Sequence, residues 1–258
     1  LLEIDGLGRR FDDHQAAADS GLVVVLPYVS PAEGLGTPWK TAGRESLATD
    51  LPMGIAGTSR WLRAVGGALG LPADRVEASI RMREERVRKP LAKMAGRWRG
   101  LRIAVFADAA MAVGLVELLT ELGCQVVLVG LRGGSLGGRA AFDGARERAH
   151  LAPLEGCEVL ERPSLARIRQ AVGERLAAGQ LHGVIGSATE LGPVRSLPRE
   201  DLGPAAPFLL ELGFPCRDFH CLTQVPFMGY GGVVAMAQRL LTAPRLWDDG
   251  RPAPWSGT

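Results

Sequence analysis

The chain has 258 residues, 47% hydrophobic and 22% charged, which is enough apolar content for two domain cores of about 100 to 150 residues each. Lysine and arginine (30) exceed aspartate and glutamate (28) by only two, so no strong positive field favours nucleic acid or an anionic membrane as a partner. The sequence has no apolar run of about 18 residues and no secretory signal at its start, and we expect a cytoplasmic protein. It begins with leucine, on a segment typical of a domain interior, and we expect a fragment of a longer polypeptide.

The first predicted unit is a strand, a loop and a helix. Residues 22–26 (LVVVL) form a β-branched run that predicts a buried strand, and turn residues follow it. Thr58 or Ser59 is placed to cap a helix that we expect to end at Gly70. Residues 74–99 predict a long charged helix, and acidic residues interrupt its arginine-rich run, which is typical of a solvated helix face.

From residue 101 onward, strands and helices alternate. The predicted elements are strands at 101–106, 125–129 and 181–186 and helices at 110–122, 165–178 and 232–241. We expect residues 208–215 to lead into one further strand, and residues 130–138 to form a flexible loop at the carboxyl end of the second strand. Continuous apolar strands in this order predict a parallel sheet covered by helices on both faces.

These patterns predict an α/β protein with two Rossmann-like domains, each a parallel sheet flanked by helices. The predicted divisions are a partial first domain at 1–73, an interdomain helix at 74–100, a second domain at 101–243 and a proline- and tryptophan-rich tail at 244–258.

Residues 212–232 hold several glycines, two cysteines and a histidine just before a helix, which is typical of a loop that forms a binding site. Cys216, His220 and Cys221 are residue types that ligate metals and iron–sulfur centres. Three ligands are too few for a closed zinc site, and simple packing is the alternative for both thiols. His220 is interpreted as a ligand, a proton donor or a hydrogen-bonded loop anchor.

Two common kinds of site are not favoured by the sequence. Residues 107–114 (ADAAMAVG), after the strand at 101–106, lack the glycines of a dinucleotide-binding fingerprint, and no phosphate loop occurs, so we expect no nucleotide on this chain. No Gly-x-Ser-x-Gly elbow or clear carboxylate pair supports a hydrolase. Cys124 and Cys157 are interpreted as buried free thiols.

Four motifs, in this order along the chain, resemble the nitrogenase component 1 family over about residues 20–245. They are LPMGIAGTSRWL at 51–62, ELGCQVV at 121–127, GFPCRD at 213–218 and PFMGYGG at 226–232. That family includes the subunits of the nitrogenase molybdenum–iron protein, the scaffolds that assemble its cofactor, and the dark-operative protochlorophyllide and chlorophyllide reductases.

The resemblance implies an architecture and partners. Family members have three Rossmann-like domains, and this chain resembles only the second and third, since the first, which carries most ligands of the bridging cluster, has no counterpart here. The resemblance implies an iron–sulfur cluster at a subunit interface, with ligands largely outside this chain. It also implies a homologous paired subunit, in a heterotetramer, and an ATP-dependent iron–sulfur reductase as electron donor.

The resemblance also bears on single residues. In the catalytic nitrogenase subunit, a cysteine that anchors the iron–molybdenum cofactor follows the strand similar to residues 22–26, where this sequence has Pro27. His220 lies close to that subunit's second cofactor ligand, which implies a catalytic role. The residues that the resemblance places around the cofactor are Cys216, Cys221, Gly229, Tyr230 and Gly231.

The leading hypothesis is therefore a subunit of a nitrogenase-like two-component oxidoreductase. The alternatives are a scaffold for assembly of the nitrogenase iron–molybdenum cofactor and a degenerate subunit that only supports its partner. The motif at 213–218 resembles the non-catalytic nitrogenase partner and the scaffolds, whereas those at 51–61 and 226–229 resemble the chlorophyllide reductase branch. The sequence thus leaves open a place in nitrogen fixation or in bacteriochlorophyll biosynthesis.

Overall fold

A computed structural model of the chain describes residues 21–26, 45–133, 138–198, 206–213, 215–217 and 226–248. The strands are β1 (Leu22–Val25), β2 (Glu45–Ala48), β3 (Arg102–Ala107), β4 (Gln125–Leu131), β5 (Glu158–Glu161), β6 (Gly183–Gly186) and β7 (Phe208–Glu211). The α-helices are α1 (Gly54–Ala68), α2 (Ala73–Met94), α3 (Ala109–Glu121), α4 (Arg139–Arg148), α5 (Leu165–Ala177), α6 (Ala188–Arg195) and α7 (Gly229–Asp248).

The larger sheet is parallel throughout and has the order β5-β4-β3-β6-β7. Alternate residues of β3 face opposite sides: Ile103 and Val105 join the apolar cluster with α3, α4 and α7, whereas Phe106 joins the cluster with α5 and α6. Both faces are therefore buried, as a parallel sheet requires. The strand order changes direction between β3 and β6, so their carboxyl ends border the crevice where such sheets bind ligands.

The smaller sheet pairs β1 with β2 in parallel, with Leu22 opposite Glu45. Helix α1 follows it and packs against both α3 and α7 of the larger unit. Helices α1 and α2 lie close together because Gly66 has no side chain: a Cβ there would lie 2.8 Å from Val76. The predicted fold class, α/β with parallel sheets flanked by helices, is confirmed, while the domain divisions stay a prediction.

The predicted start of α1 was wrong. The helix begins at Gly54; the Thr58 hydroxyl donates to the Gly54 carbonyl, and Ser59 Oγ lies 2.9 Å from the Ile55 carbonyl, so both side chains lie within the helix. The carboxylate of Glu121, at the end of α3, takes the place of a local cap and accepts from the backbone N–H groups of Ile55 (2.6 Å) and Ala56 (2.7 Å). A cap supplied from 65 residues away leaves no local sequence signal.

Two boundaries near the carboxyl end also differ from the prediction. Residues 208–211 are themselves the last strand of the larger sheet, because they pair with β6 from Gly183↔Phe208 to Gly186↔Glu211. Helix α7 begins at Gly229 rather than residue 232, and it continues to Asp248. The φ of Gly229 is 67°, a left-handed conformation that glycine adopts readily and that lets α7 start early.

Within the described part of the chain, no helix is both long and apolar enough to cross a membrane.

Candidate functional site

Polar residues follow the strands at the carboxyl edge of the larger sheet, and two of them cap helices. Asp108, after β3, accepts from the backbone N–H of Met111 at 2.9 Å. Ser187, after β6, forms a capping box with Glu190, whose Oε2 accepts from the Ser187 N–H (2.9 Å) and hydroxyl (2.5 Å). Both Ser187 and Glu190 are buried, so these groups fix the helix starts that border the crevice.

Arg132 connects the loop after β4 to the rest of this edge. Its Nε lies 3.9 Å from Oε1 of Glu190, and 28% of its side chain is exposed. Its Nη2 lies 3.1 Å from where a Cβ on Gly213 would stand, beside the loop that follows β7. A partly exposed guanidinium therefore lies at the carboxyl edge, between the buried carboxylate of Glu190 and the loop that follows β7.

The loop after β7 is fastened to its neighbours. Buried Glu211 accepts from the Arg217 N–H at 2.7 Å, and its backbone carbonyl accepts from the guanidinium of Arg239 on α7. The Ala188 N–H donates to the Pro215 carbonyl at 3.0 Å, which ties the same loop to α6. These bonds hold residues 211–213 and 215–217 at the carboxyl edge.

The described cysteines lie at opposite edges of the sheet. Cys216 is exposed at the carboxyl edge, where its thiol donates to the Gly213 carbonyl at 3.0 Å. Cys124 and Cys157 precede β4 and β5, and burial raises the pKa of these thiols to about 12 and about 11, respectively. The prediction of free thiols is confirmed for both, with Cys157 only partly buried. His220 and Cys221 lie outside the described residues, as does Pro27.

The predicted residues Gly229, Tyr230 and Gly231 form the first turn of α7, at the junction with α1. The Gly229 N–H donates to the Pro52 carbonyl at 2.7 Å, and the Tyr230 hydroxyl lies 2.8 Å from Ser59 Oγ. Ten residues, about 15 Å of helix, separate Gly229 from Arg239. The structure thus places Cys216 at the sheet edge and this turn in the gap between the units.

Sequence reasoning missed Arg132, Glu190, Glu211 and Arg239 as parts of this edge. The available signal was a charged residue within one position of a strand end, as at Arg132 and Glu211. The described residues include no group of three or more His, Cys, Asp or Glu side chains that could hold a metal ion.

The sequence pattern of the family described as nitrogenase component 1 type oxidoreductase matches residues 7–244. The chain belongs to this family. The predicted resemblance is thereby confirmed.

Several curated relatives carry the same name. The light-independent protochlorophyllide reductase subunit N of Rhodopseudomonas palustris (strain HaA2) is 38% identical over 92 residues, 34% of this chain and 21% of the relative. The subunit of the same name from Roseobacter denitrificans (strain ATCC 33942 / OCh 114) is 32% identical over 139 residues, 50% of this chain and 32% of the relative.

Solved structures extend the likeness to the whole chain at the level of the fold. Nitrogenase Cp1 at pH 6.5 superposes with a TM-score of 0.68 and 18% identity, covering 94% of this chain and 49% of that one. Nitrogenase Cp1 at pH 5 gives a TM-score of 0.62, with 13% identity and 95% and 51% coverage. The chain spans about half the length of these structures.

Proposed function

We propose that this chain is a subunit of a nitrogenase-like two-component oxidoreductase of the light-independent protochlorophyllide reductase type. In this proposal a homologous subunit pairs with it in a heterotetramer, and a separate ATP-hydrolysing iron–sulfur protein supplies the electrons. The observation that carries the proposal is the family match over residues 7–244, together with relatives named as subunit N of that reductase. Those names favour the reductase over an assembly scaffold.

The carboxyl-edge cluster, Arg132, Glu190, Glu211 and Cys216, supports the placement of the reactive cavity. It lies at the end of a parallel sheet where ligands bind in this class of fold, and it combines an accessible guanidinium with an exposed thiol. We propose that Cys216 and Cys221, with the turn Gly229 to Gly231, line the cavity for substrate or cofactor.

The iron–sulfur cluster of the proposal is placed at the interface with the paired subunit. We propose that the ligands of this cluster come largely from outside this chain. The cluster would supply electrons one at a time. In this proposal the chain binds and orients the substrate and delivers a proton from His220. Histidine suits this role because its imidazole ordinarily titrates close to neutral pH.

A reconstitution experiment tests the proposal. The full-length chain is produced with its paired subunit and the ATP-dependent reductase, and protochlorophyllide reduction is followed by absorbance with and without ATP. We expect ATP-dependent reduction, and we expect His220→Asn to lower kcat by about a hundredfold, the usual contribution of a general acid.

Matched variants separate the cavity from the rest of the surface. His150→Asn is the control for the histidine, because His150 is exposed and has a φ of 53°, a left-handed conformation that asparagine tolerates. Cys157→Ala, at the amino edge, is the control for Cys216→Ala. An assembled complex with no iron–sulfur signal and no ATP-dependent reduction would overturn the proposal. Transfer of a cluster to an apo-enzyme without turnover would instead support the scaffold alternative.

A further inference from the structure

Three helices from the two units meet at one buried hydroxyl, that of Ser59 on α1. Ser59 is 1% exposed. Its Oγ lies 2.5 Å from Oε1 of Glu84 on α2 and 2.8 Å from the hydroxyl of Tyr230 on α7, as well as 2.9 Å from its own helix's Ile55 carbonyl. Ser59 is therefore in hydrogen-bond contact with α2 and α7 at once.

A proton count gives these bonds a direction. Ser59 has a single hydroxyl hydrogen to donate. Its strongest acceptor is the Glu84 carboxylate, because the bond to it is short and charge-assisted. Tyr230 must then be the donor in its bond with Ser59. Burial raises the pKa of Tyr230, which keeps its hydroxyl protonated and able to donate. The chain of donors therefore runs from Tyr230 through Ser59 to Glu84.

The backbone around Tyr230 is equally constrained. Gly229 donates its N–H to the Pro52 carbonyl. Pro52 is followed by buried Met53, the residue directly before α1. A Cβ on Gly232 would lie 2.4 Å from the backbone carbon of Phe227, so the turn is folded tightly on itself. Residues 226–232 therefore cannot shift relative to α1 without breaking the bonds at both Pro52 and Ser59.

The first turn of α7 extends beyond the sheet towards the α1–α2 pair. About 15 Å of helix lies between this turn and Arg239, which contacts the carboxyl end of β7. The bonds to Pro52 and Ser59 hold this far end of the helix.

We propose that Tyr230, Ser59 and Glu84 form a positioning device, the Tyr230–Ser59–Glu84 chain, which holds the loop at 226–231 against α1 and α2. The Tyr230 hydroxyl then acts through Ser59 and does not touch the substrate, whereas the backbone of the turn Gly229 to Gly231 lines the proposed cavity. The effect on turnover rests on the proposed function, whereas the effect on the loop itself does not.

Hydrogen–deuterium exchange on the assembled complex measures the loop directly. We expect Tyr230→Phe and Ser59→Ala each to speed exchange of the backbone amides in 227–233 by about fivefold, the equilibrium value of one hydrogen bond. Thr242→Val is the control, because the Thr242 hydroxyl, also on α7, donates to the Gln238 carbonyl of the same helix at 2.9 Å, twelve residues from Tyr230. Unchanged exchange in both variants, or an equal change in Thr242→Val, overturns the proposal.

Turnover per assembled complex distinguishes positioning from substrate contact. Because the three residues act in series, the double variant should lose no more kcat than either single variant, about fivefold in each case. If Tyr230 touched the substrate, Tyr230→Phe would change KM, Ser59→Ala would have no effect, and the proposal would be wrong. A wild-type complex that reduces nothing, yet shows the exchange pattern, would remove the proposed function and leave the positioning device supported.

Discussion

Two arginines of α1 make nearly the same contact in different surroundings. Arg60 binds Glu117 of α3 with two bonds of 2.6 and 2.7 Å, and Arg63 binds Glu77 of α2 with two bonds of 2.6 and 3.0 Å. The Arg60 and Glu117 side chains are 32% and 6% exposed, whereas those of Arg63 and Glu77 are 48% and 37% exposed. The two ion pairs have similar bond lengths but differ in their exposure to solvent.

The difference teaches that surroundings, rather than bond length, decide what an ion pair contributes. The hydrogen bond to Glu117 raises the pKa of Arg60, and the one from Arg63 lowers the pKa of Glu77. Water screens the second pair and can replace either partner. It cannot reach Glu117, which lies buried where the two units meet, so this carboxylate depends on Arg60.

Arg60→Ala should give the largest effect, because it leaves a buried carboxylate without its counter-charge. We expect the free energy of unfolding to fall by about 3 kcal/mol, measured by urea denaturation. An apolar pair, Arg60→Met with Glu117→Leu, should recover most of the loss. If Arg60→Ala lowered the free energy of unfolding by no more than the loss of an exposed pair, the proposed difference between Arg60 and Arg63 would be wrong.

Gly57→Ala tests the same interface through its packing. A Cβ on Gly57 would lie 2.9 Å from Oε2 of Glu117 and would displace the paired carboxylate, so we expect a loss of about 1 kcal/mol. Gly67→Ala, on the same helix with open space around it, should instead stabilise by about 0.5 kcal/mol. In a Glu117→Ala background, Gly57→Ala should also stabilise. If it stabilises the wild-type chain, the interface is looser than described.

A third arginine lies beside a histidine, and the response of this contact to pH sharpens the comparison. His182 Nδ1 accepts from the backbone N–H of Arg102 at 2.9 Å. Burial, followed by the charge of the Arg102 side chain, lowers the His182 pKa below its ordinary 6.5. The unfolded chain thus takes up the proton more readily than the folded chain. This contribution to stability is complete above pH 6.5 and is lost as pH falls through the lowered folded pKa.

The measurement compares wild type with His182→Asn, which retains an acceptor near Nδ1 but does not titrate. Urea midpoints are taken between pH 7.5 and 5. The wild-type advantage should shrink as the solution becomes acidic. An advantage that grows in acid would mean that His182 is protonated in the folded protein.

Arg63→Ala should have the smallest effect. Both partners are exposed, and we expect its unfolding free energy to match wild type within the error of the urea experiment. A loss approaching that of Arg60→Ala would show that α2 is held to α1 mainly by this pair, and not by the contact between Gly66 and Val76.

Much of the fold could be predicted because its strands and helices carry strong local patterns. The strands predicted at 101–106 and 125–129 and the helix at 110–122 agree with β3, β4 and α3 within two residues. The shorter elements β2, α4, β5 and α6 were not predicted. Their four to ten residues are polar or short enough that burial against neighbours, rather than local propensity, decides their conformation.

The candidate site was predicted in part. The motif at 213–218 indicated a loop at a strand end, and the structure places Cys216 at the carboxyl edge of the sheet. His220 and Cys221 keep their roles as predictions. Arg132 was not predicted, because its relation to Gly213 arises only when β4 and β7, on opposite sides of β3, are brought into one sheet.

The sequence by itself determined the family and the alternation of buried strands with helices, because periodicity and motif order are properties of neighbouring residues. Tertiary structure alone decided what Ser59 does. Its position suggested a helix cap, and the fold instead gave the cap to Glu121 and turned the Ser59 hydroxyl towards Glu84 and Tyr230. Hydrogen-bond partners separated by 25 to 171 residues depend on how helices pack, and no local pattern records that packing.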